Sequence, residues 1–133
     1  MPLAVASHLV NVVVLVMVLR GLWAEAPAMG AAYGPDTPAR RILACVYGAI
    51  LLGSAAALAG AAVTRLDGGA AATFAWFSLS LFAVQIVYKL ATALAVGPGN
   101  PVVIANLAIA AFHAASVAAL VLALRRGLGP SLA

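Results

Sequence analysis

Four long apolar runs, parted by short stretches of proline and glycine, constrain this chain more than any other feature. A hydrocarbon layer of about 30 Å needs roughly 20 mainly apolar residues of helix to cross it. Runs of that length span about 3–23, 38–63, 69–96 and 101–126. In lipid every backbone polar group must find its partner within the protein, and a helix achieves this inside one segment. The pattern therefore predicts an all-α, polytopic membrane protein, a single domain over 1–133 built as an antiparallel bundle of four transmembrane helices. Composition agrees: 66% of residues are hydrophobic and 8% are charged, against roughly 25% charged in typical globular domains. A water-soluble domain of this length could not cover so much apolar surface.

The breaks between the runs carry their own signals. Asp36-Thr37-Pro38 offers a capping residue followed by proline at the first helical position, where its missing N–H costs nothing. Asn100-Pro101 repeats that arrangement, and Gly97 and Gly127 are placed to end the third and fourth helices. Leu66–Gly69 and Gly97–Gly99 are tight turns, so consecutive helices should pack antiparallel. The one long connection, 24–37, contains Pro27, Gly30, Tyr33, Gly34 and Pro35. It is too broken for a long helix and is expected to lie in the interface, as a connector or as a gate or docking surface. Leu9–Leu19 and the Ala24-Glu25-Ala26 triplet have the outline of a signal peptide. No basic residue precedes that apolar run, however, and Arg20 interrupts it, so the segment is expected to be retained as a helix.

Charge gives little direction. The net charge is +4, and the basic residues fall mostly at helix ends, which points to lipid head groups rather than to nucleic acid. The side holding the N-terminus (side A) carries Arg65, Arg125 and Arg126. The opposite side (side B) carries Arg20, Arg40 and Arg41, with Lys89 nearby. The Arg125-Arg126 pair leans the assignment toward cytoplasmic termini. Trp23 and Tyr88 are expected near the side B interface and Trp76 toward side A. Cys45 has no second cysteine to pair with and reads as a small packing residue.

Polar groups in hydrocarbon cost free energy, about 2.5–3.5 kcal/mol for a central Lys or Arg on insertion scales, so they tend to face a partner or a cavity. Here the candidates are His8 and Asn11 in the first helix, Gln85 and Lys89 in the third, and Asn106 and His113 in the fourth. Ser78 and Thr92 extend the stripe of the third helix, and Ser116 that of the fourth. Spacings of three, four and seven put each set on one helical face. Turned inward, the stripes make a broken ladder across the bundle. Such a ladder serves either as hydrogen-bonding glue between helices or as a path or ligand site. Lys89 is expected to snorkel toward side B.

Small residues repeat every four positions in two helices. Ala49, Gly53 and Ala57, continued by Ala61, mark the second helix. Ala111, Ala115 and Ala119, continued by Ala123, mark the fourth. These stripes are expected to be helix-packing surfaces inside the bundle, or else contacts with another protein.

No catalytic, cofactor or metal constellation is visible. Bis-histidine ligation of a b-type haem by His8 and His113 is disfavoured, because uniform helical rise separates them by roughly 9 Å along the membrane normal. Zinc needs more converging ligands than two His and one distant Cys. A Ser–His hydrolase lacks its acidic orienting residue, since Glu25, Asp36 and Asp67 all lie in loops or turns. The same lack of an intramembrane carboxylate weighs against proton-coupled transport. If any group titrates near neutral pH there, it is His113.

Three strings, PARRILACVY at 38–47, QIVYK at 85–89 and NPVVIAN at 100–106, resemble small bacterial four-helix integral membrane proteins. The resemblance covers most of the second to fourth helices. It implies an architecture and a bacterial inner membrane location, and no activity. The chain lacks the acidic residue of the first helix that small multidrug antiporters need, and the Gly- and Asn-rich signatures of small fluoride channels. The leading expectation is a non-enzymatic accessory or structural subunit, working in the lipid bilayer with partner membrane subunits or as a homo-oligomer. The alternatives are a small oligomeric transporter or channel using the polar ladder, and a lipid- or quinone-binding protein with its head-group site near Gln85 and His113.

Overall fold

The computed structural model describes residues 1–127, and their regular structure is entirely α-helical. The elements are α1 (Pro2–Trp23), α2 (Pro27–Tyr33), α3 (Pro38–Thr64), α4 (Gly69–Val96) and α5 (Pro101–Arg125). The four long helices begin and end within a residue or two of the expected limits. Thr37 Oγ1 accepts the Arg40 N–H at 3.2 Å to cap α3, and Asn100 Oδ1 accepts the Val102 N–H at 2.8 Å to cap α5. Proline follows each cap. Between α3 and α4 the chain turns through left-handed conformations at Arg65, Leu66 and Gly68. The turn is held by Asp67 N–H to Thr64 O at 3.1 Å and by Leu66 N–H to Thr64 Oγ1 at 3.3 Å.

The expected connector 24–37 contains the short helix α2. Pro27 opens it, and Gly34, at φ +79°, closes it. Seven residues are too few to show helical periodicity in a sequence, and such a helix is not stable alone. It survives through ties to its neighbours. Asn100 Nδ2 donates to Ala32 O at 2.9 Å, and Arg40 Nη1 donates to Gly34 O at 2.8 Å. Gly21 of α1 gives Met29 room, because a Cβ there would sit 2.8 Å from Met29 Cγ.

The long helices form a ring in which α1 touches α3 and α5, and α4 touches α3 and α5. Cross-links fix the directions. Ser7 meets Ser116 while Asn11 meets His113, and Phe82 meets His113 while Lys89 meets Asn106. In both pairs one index rises as the other falls, so α1–α5 and α4–α5 are antiparallel. Two apolar clusters fill the ring. Ala4, Phe74, Ala75, Phe82 and Leu120 pack toward side A, and Leu15, Leu22, Ala44, Tyr47 and Ile50 pack toward side B.

The surface is patterned inside out. His8, Ser54, Ser78, His113 and Ser116 are fully buried, while Leu94 is 92% exposed, Val63 84% and Leu52 71%. In water this arrangement would leave large apolar side chains uncovered and hide groups that prefer solvent. With four helices long and apolar enough to cross a bilayer, it is the architecture of a multi-pass membrane protein.

Candidate functional site

The inward polar stripes meet as three hydrogen-bonded groups at the level where α1, α3, α4 and α5 converge. Asn11 is the hub of one: Oδ1 accepts from His113 Nε2 at 3.1 Å, and Nδ2 donates to Ser54 Oγ at 3.0 Å. Ser78 donates its hydroxyl proton to Phe74 O at 2.7 Å, so its lone pair receives the His8 Nε2–H at 2.9 Å. Toward side A, Ser7 and Ser116 bond to each other at 2.7 Å. Ser116 also reaches Leu3 O at 3.1 Å and Phe112 O at 3.2 Å. Both imidazoles thus carry a proton on Nε2, an assignment that follows from their partners. Phe82 contacts both rings at 4.7 Å between centroids, stacked on His113 and tilted against His8. Nδ1 of each histidine and Nε2 of Gln85 are buried without a partner among the described residues.

A second polar locus lies closer to side B. Lys89 Nζ donates to Asn106 Oδ1 at 3.0 Å and stands 4.9 Å from the centre of the Tyr88 ring. Lys89 is only 4% exposed, so it turns into the bundle rather than snorkelling to the surface as expected. Its neighbours explain this: Asn106 and the Tyr88 face both present negative partial charge to the ammonium. Lys89 and Asn106 line a cavity of about 320 Å³ bounded by α1, α3, α4 and α5 and roofed by α2. Tyr33, Tyr47 and Tyr88 line it as well, and the Tyr33 and Tyr47 rings meet edge to face at 6.2 Å. Burial, reinforced by Tyr47, pushes the Tyr33 phenol well above its usual range.

The end of α2 is clamped by charge. Asp36 takes Arg41 Nη2 at 2.6 Å and Nε at 3.1 Å, and its other oxygen lies 3.6 Å from Arg40 Nη2. The hydrogen bonds from Arg41 hold the Asp36 carboxyl below the usual carboxylate range.

The six candidates from sequence therefore separate. Asn11 and His113 bond to each other, His8 bonds separately to Ser78, Lys89 and Asn106 form a further pair, and Gln85 stands in the core with its Nε2 unpaired among the described residues. The head-group position expected near Gln85 and His113 differs from the cavity, which is lined by Lys89 and Asn106. Ser7 pairs with Ser116 and Ser54 with Asn11, neither with a signal of its own in the sequence. Ser54 sits beside the small-residue stripe of α3, where a hydroxyl reads as packing, and only its pairing with Asn11 reveals its role. Tyr33 and Tyr47 carry no signal beyond their polarity.

The small-residue stripes are divided differently from expectation. In α3, Gly53 admits Phe77, whose Cζ would stand 3.5 Å from a Cβ at that position, and Ala57 packs on the side A cluster, but Ala49 is exposed. In α5, Ala111 and Ala115 are exposed and Ala119 is half-buried. The inner face of α5 is Val103, Asn106, Ala110, His113, Ser116 and Leu120. Positions 111 and 115 stand about 200° from 113 at roughly 100° per residue, so the two stripes cannot both face inward. Exposing alanine to lipid costs less than exposing Asn or His, and the polar stripe takes the interior. Cys45 is likewise exposed rather than packed inside. Trp23 and Trp76 are exposed, at 65% and 62%, while Tyr88 is half-buried against the side B cluster. Among the described residues, no group of three or more His, Cys, Asp or Glu converges as a metal site. Comparison with protein-family models, with curated proteins and with solved structures finds no match to this chain.

Proposed function

We propose that the chain is a non-enzymatic structural or accessory subunit of a membrane assembly, docked to a partner transmembrane helix through the outer face of α5. The observation that carries this reading is the make-up of that face. Ala105, Ala108, Ala111, Ala115 and Ala118 are all exposed there, although lipid would accept larger side chains equally well. Small residues let helix backbones approach closely, which is the main source of helix association in lipid. The interior supports the same reading, because His8, Asn11 and His113 hydrogen-bond to neighbouring helices. A transporter built on the polar ladder would need those groups to face a hydrated path.

On this reading the termini lie in the cytoplasm, next to the Arg125-Arg126 pair, and the membrane is a bacterial inner membrane. Affinity purification in mild detergent tests the docking. The wild type is expected to bring down its partner, and Ala111→Leu combined with Ala115→Leu to lose it at an unchanged melting temperature. Ion or solute flux through the wild-type protein in liposomes would contradict the reading and favour transport.

A further inference from the structure

The cavity beneath α2 holds a cation with no acidic partner among the described residues. The chain has three acidic side chains. Asp36 is engaged with Arg40 and Arg41, and neither Glu25 nor Asp67 lines the cavity. Lys89 is 4% exposed, and one of the three N–H donors of an ammonium is taken by Asn106. Tyr88 lines the same cavity, and its hydroxyl is buried with no partner among the described residues. A buried charge is costly unless it is paired and its donors are satisfied. Among the described residues the Tyr88 hydroxyl thus lacks a partner, and the ammonium, bonded to the neutral Asn106 amide, lacks a counter-charge.

Apart from Asn106, Tyr33 and Tyr47, the remaining wall is apolar. Val14, Leu15, Val18, Val102 and Ile109 line it, and the volume of about 320 Å³ lies at the lower end of ligand pockets, which run from roughly 300 to 1,000 Å³. Lys89 stands seven residues before the end of α4, or about 10 Å below that end at 1.5 Å per residue. A group reaching it from the interface must carry its polar end inward past α2, or enter sideways between helices from the lipid.

We propose that this cavity binds a single-chain acidic amphiphile, with a carboxylate or phosphate head on Lys89 Nζ and Tyr88 Oη and its alkyl chain along Val14, Val18 and Ile109. The head supplies the missing acceptor and the missing charge, and the chain supplies the contact with the apolar wall. α2, tied through Asn100 and Arg40, is the roof over the site.

Binding of radiolabelled palmitate to the full chain in a non-ionic detergent tests this, with palmityl alcohol, lysophosphatidic acid and inorganic phosphate as competitors. Saturable binding at one molecule per chain is expected, displaced by lysophosphatidic acid and at least tenfold more weakly by the alcohol. Lys89→Met is expected to weaken binding at least tenfold. Ile109→Trp, which fills the cavity and leaves the amine in place, is expected to abolish it while the melting temperature stays within a few degrees. If Lys89→Met or the alcohol binds as well as the wild type or the acid, the head-group assignment is overturned. Competition by inorganic phosphate at equal concentration would show a free-anion site and overturn the amphiphile.

Discussion

Asn11 holds three helices together with one side chain, since its amide joins α1 to Ser54 of α3 and His113 of α5. Interhelical hydrogen bonds in membranes contribute about 0.6 kcal/mol on average and up to about 1.7. Asn11→Leu, which removes two of them and leaves both partners buried, should therefore destabilise the fold by roughly 1–3 kcal/mol. Ser7→Ala should cost less, because Ser116 keeps its carbonyl partners at Leu3 and Phe112. Reversible unfolding in mixed micelles measures both, and equal effects would show that Asn11 is not the hub. Outside the spans, the depressed Asp36 carboxyl sets a pH dependence. A group whose folded value is lowered stabilises above the ordinary carboxylate range and loses that contribution as pH falls through its folded value. Protection of the backbone amides at 34–37, taken relative to their intrinsic exchange rates, should therefore be flat through neutral pH and fall only under acid, and Asp36→Asn should remove that fall. The effect will be small, because the Asp36–Arg41 pair is solvent-facing. At this scale the polar stripes were legible from spacing alone. Their pairings were not, because spacing fixes a face and says nothing of which residue across the bundle stands opposite.

Among the elements, α2 depends most on distant residues. Its tie to Asn100 crosses 68 positions of sequence, so no local pattern announces it. Asn100 has a second task as the cap of α5. Asn100→Ala should cost about 1 kcal/mol through the lost cap and also free the roof of the cavity. Hydrogen exchange or limited proteolysis should then rise at 27–33 while the four long helices stay protected. Exchange that rises in α5 alone would mean that α2 is held by other contacts. The long helices were readable because length, proline at the first turn and glycine at the end all act within a segment. The inward face of α5 was less readable, since two stripes on opposite sides both had a claim. The cost of placing Asn106 and His113 against lipid decides between them.

For the whole molecule, the interior and the exterior divide the work. Inside, polar side chains bind helix to helix and leave an apolar-walled cavity with a lone amine. Outside, α5 exposes Ala105, Ala108, Ala111, Ala115 and Ala118 between the larger Ile104 and Leu122. The account stands on close packing of a partner helix against those alanines, and particle mass tests it most directly. Native mass spectrometry of the protein released from its own membrane should show a particle heavier than one 13.3 kDa chain with its lipids. Ala111→Leu with Ala115→Leu should reduce that particle to the single chain. A wild type that emerges as a lone chain would contradict the account.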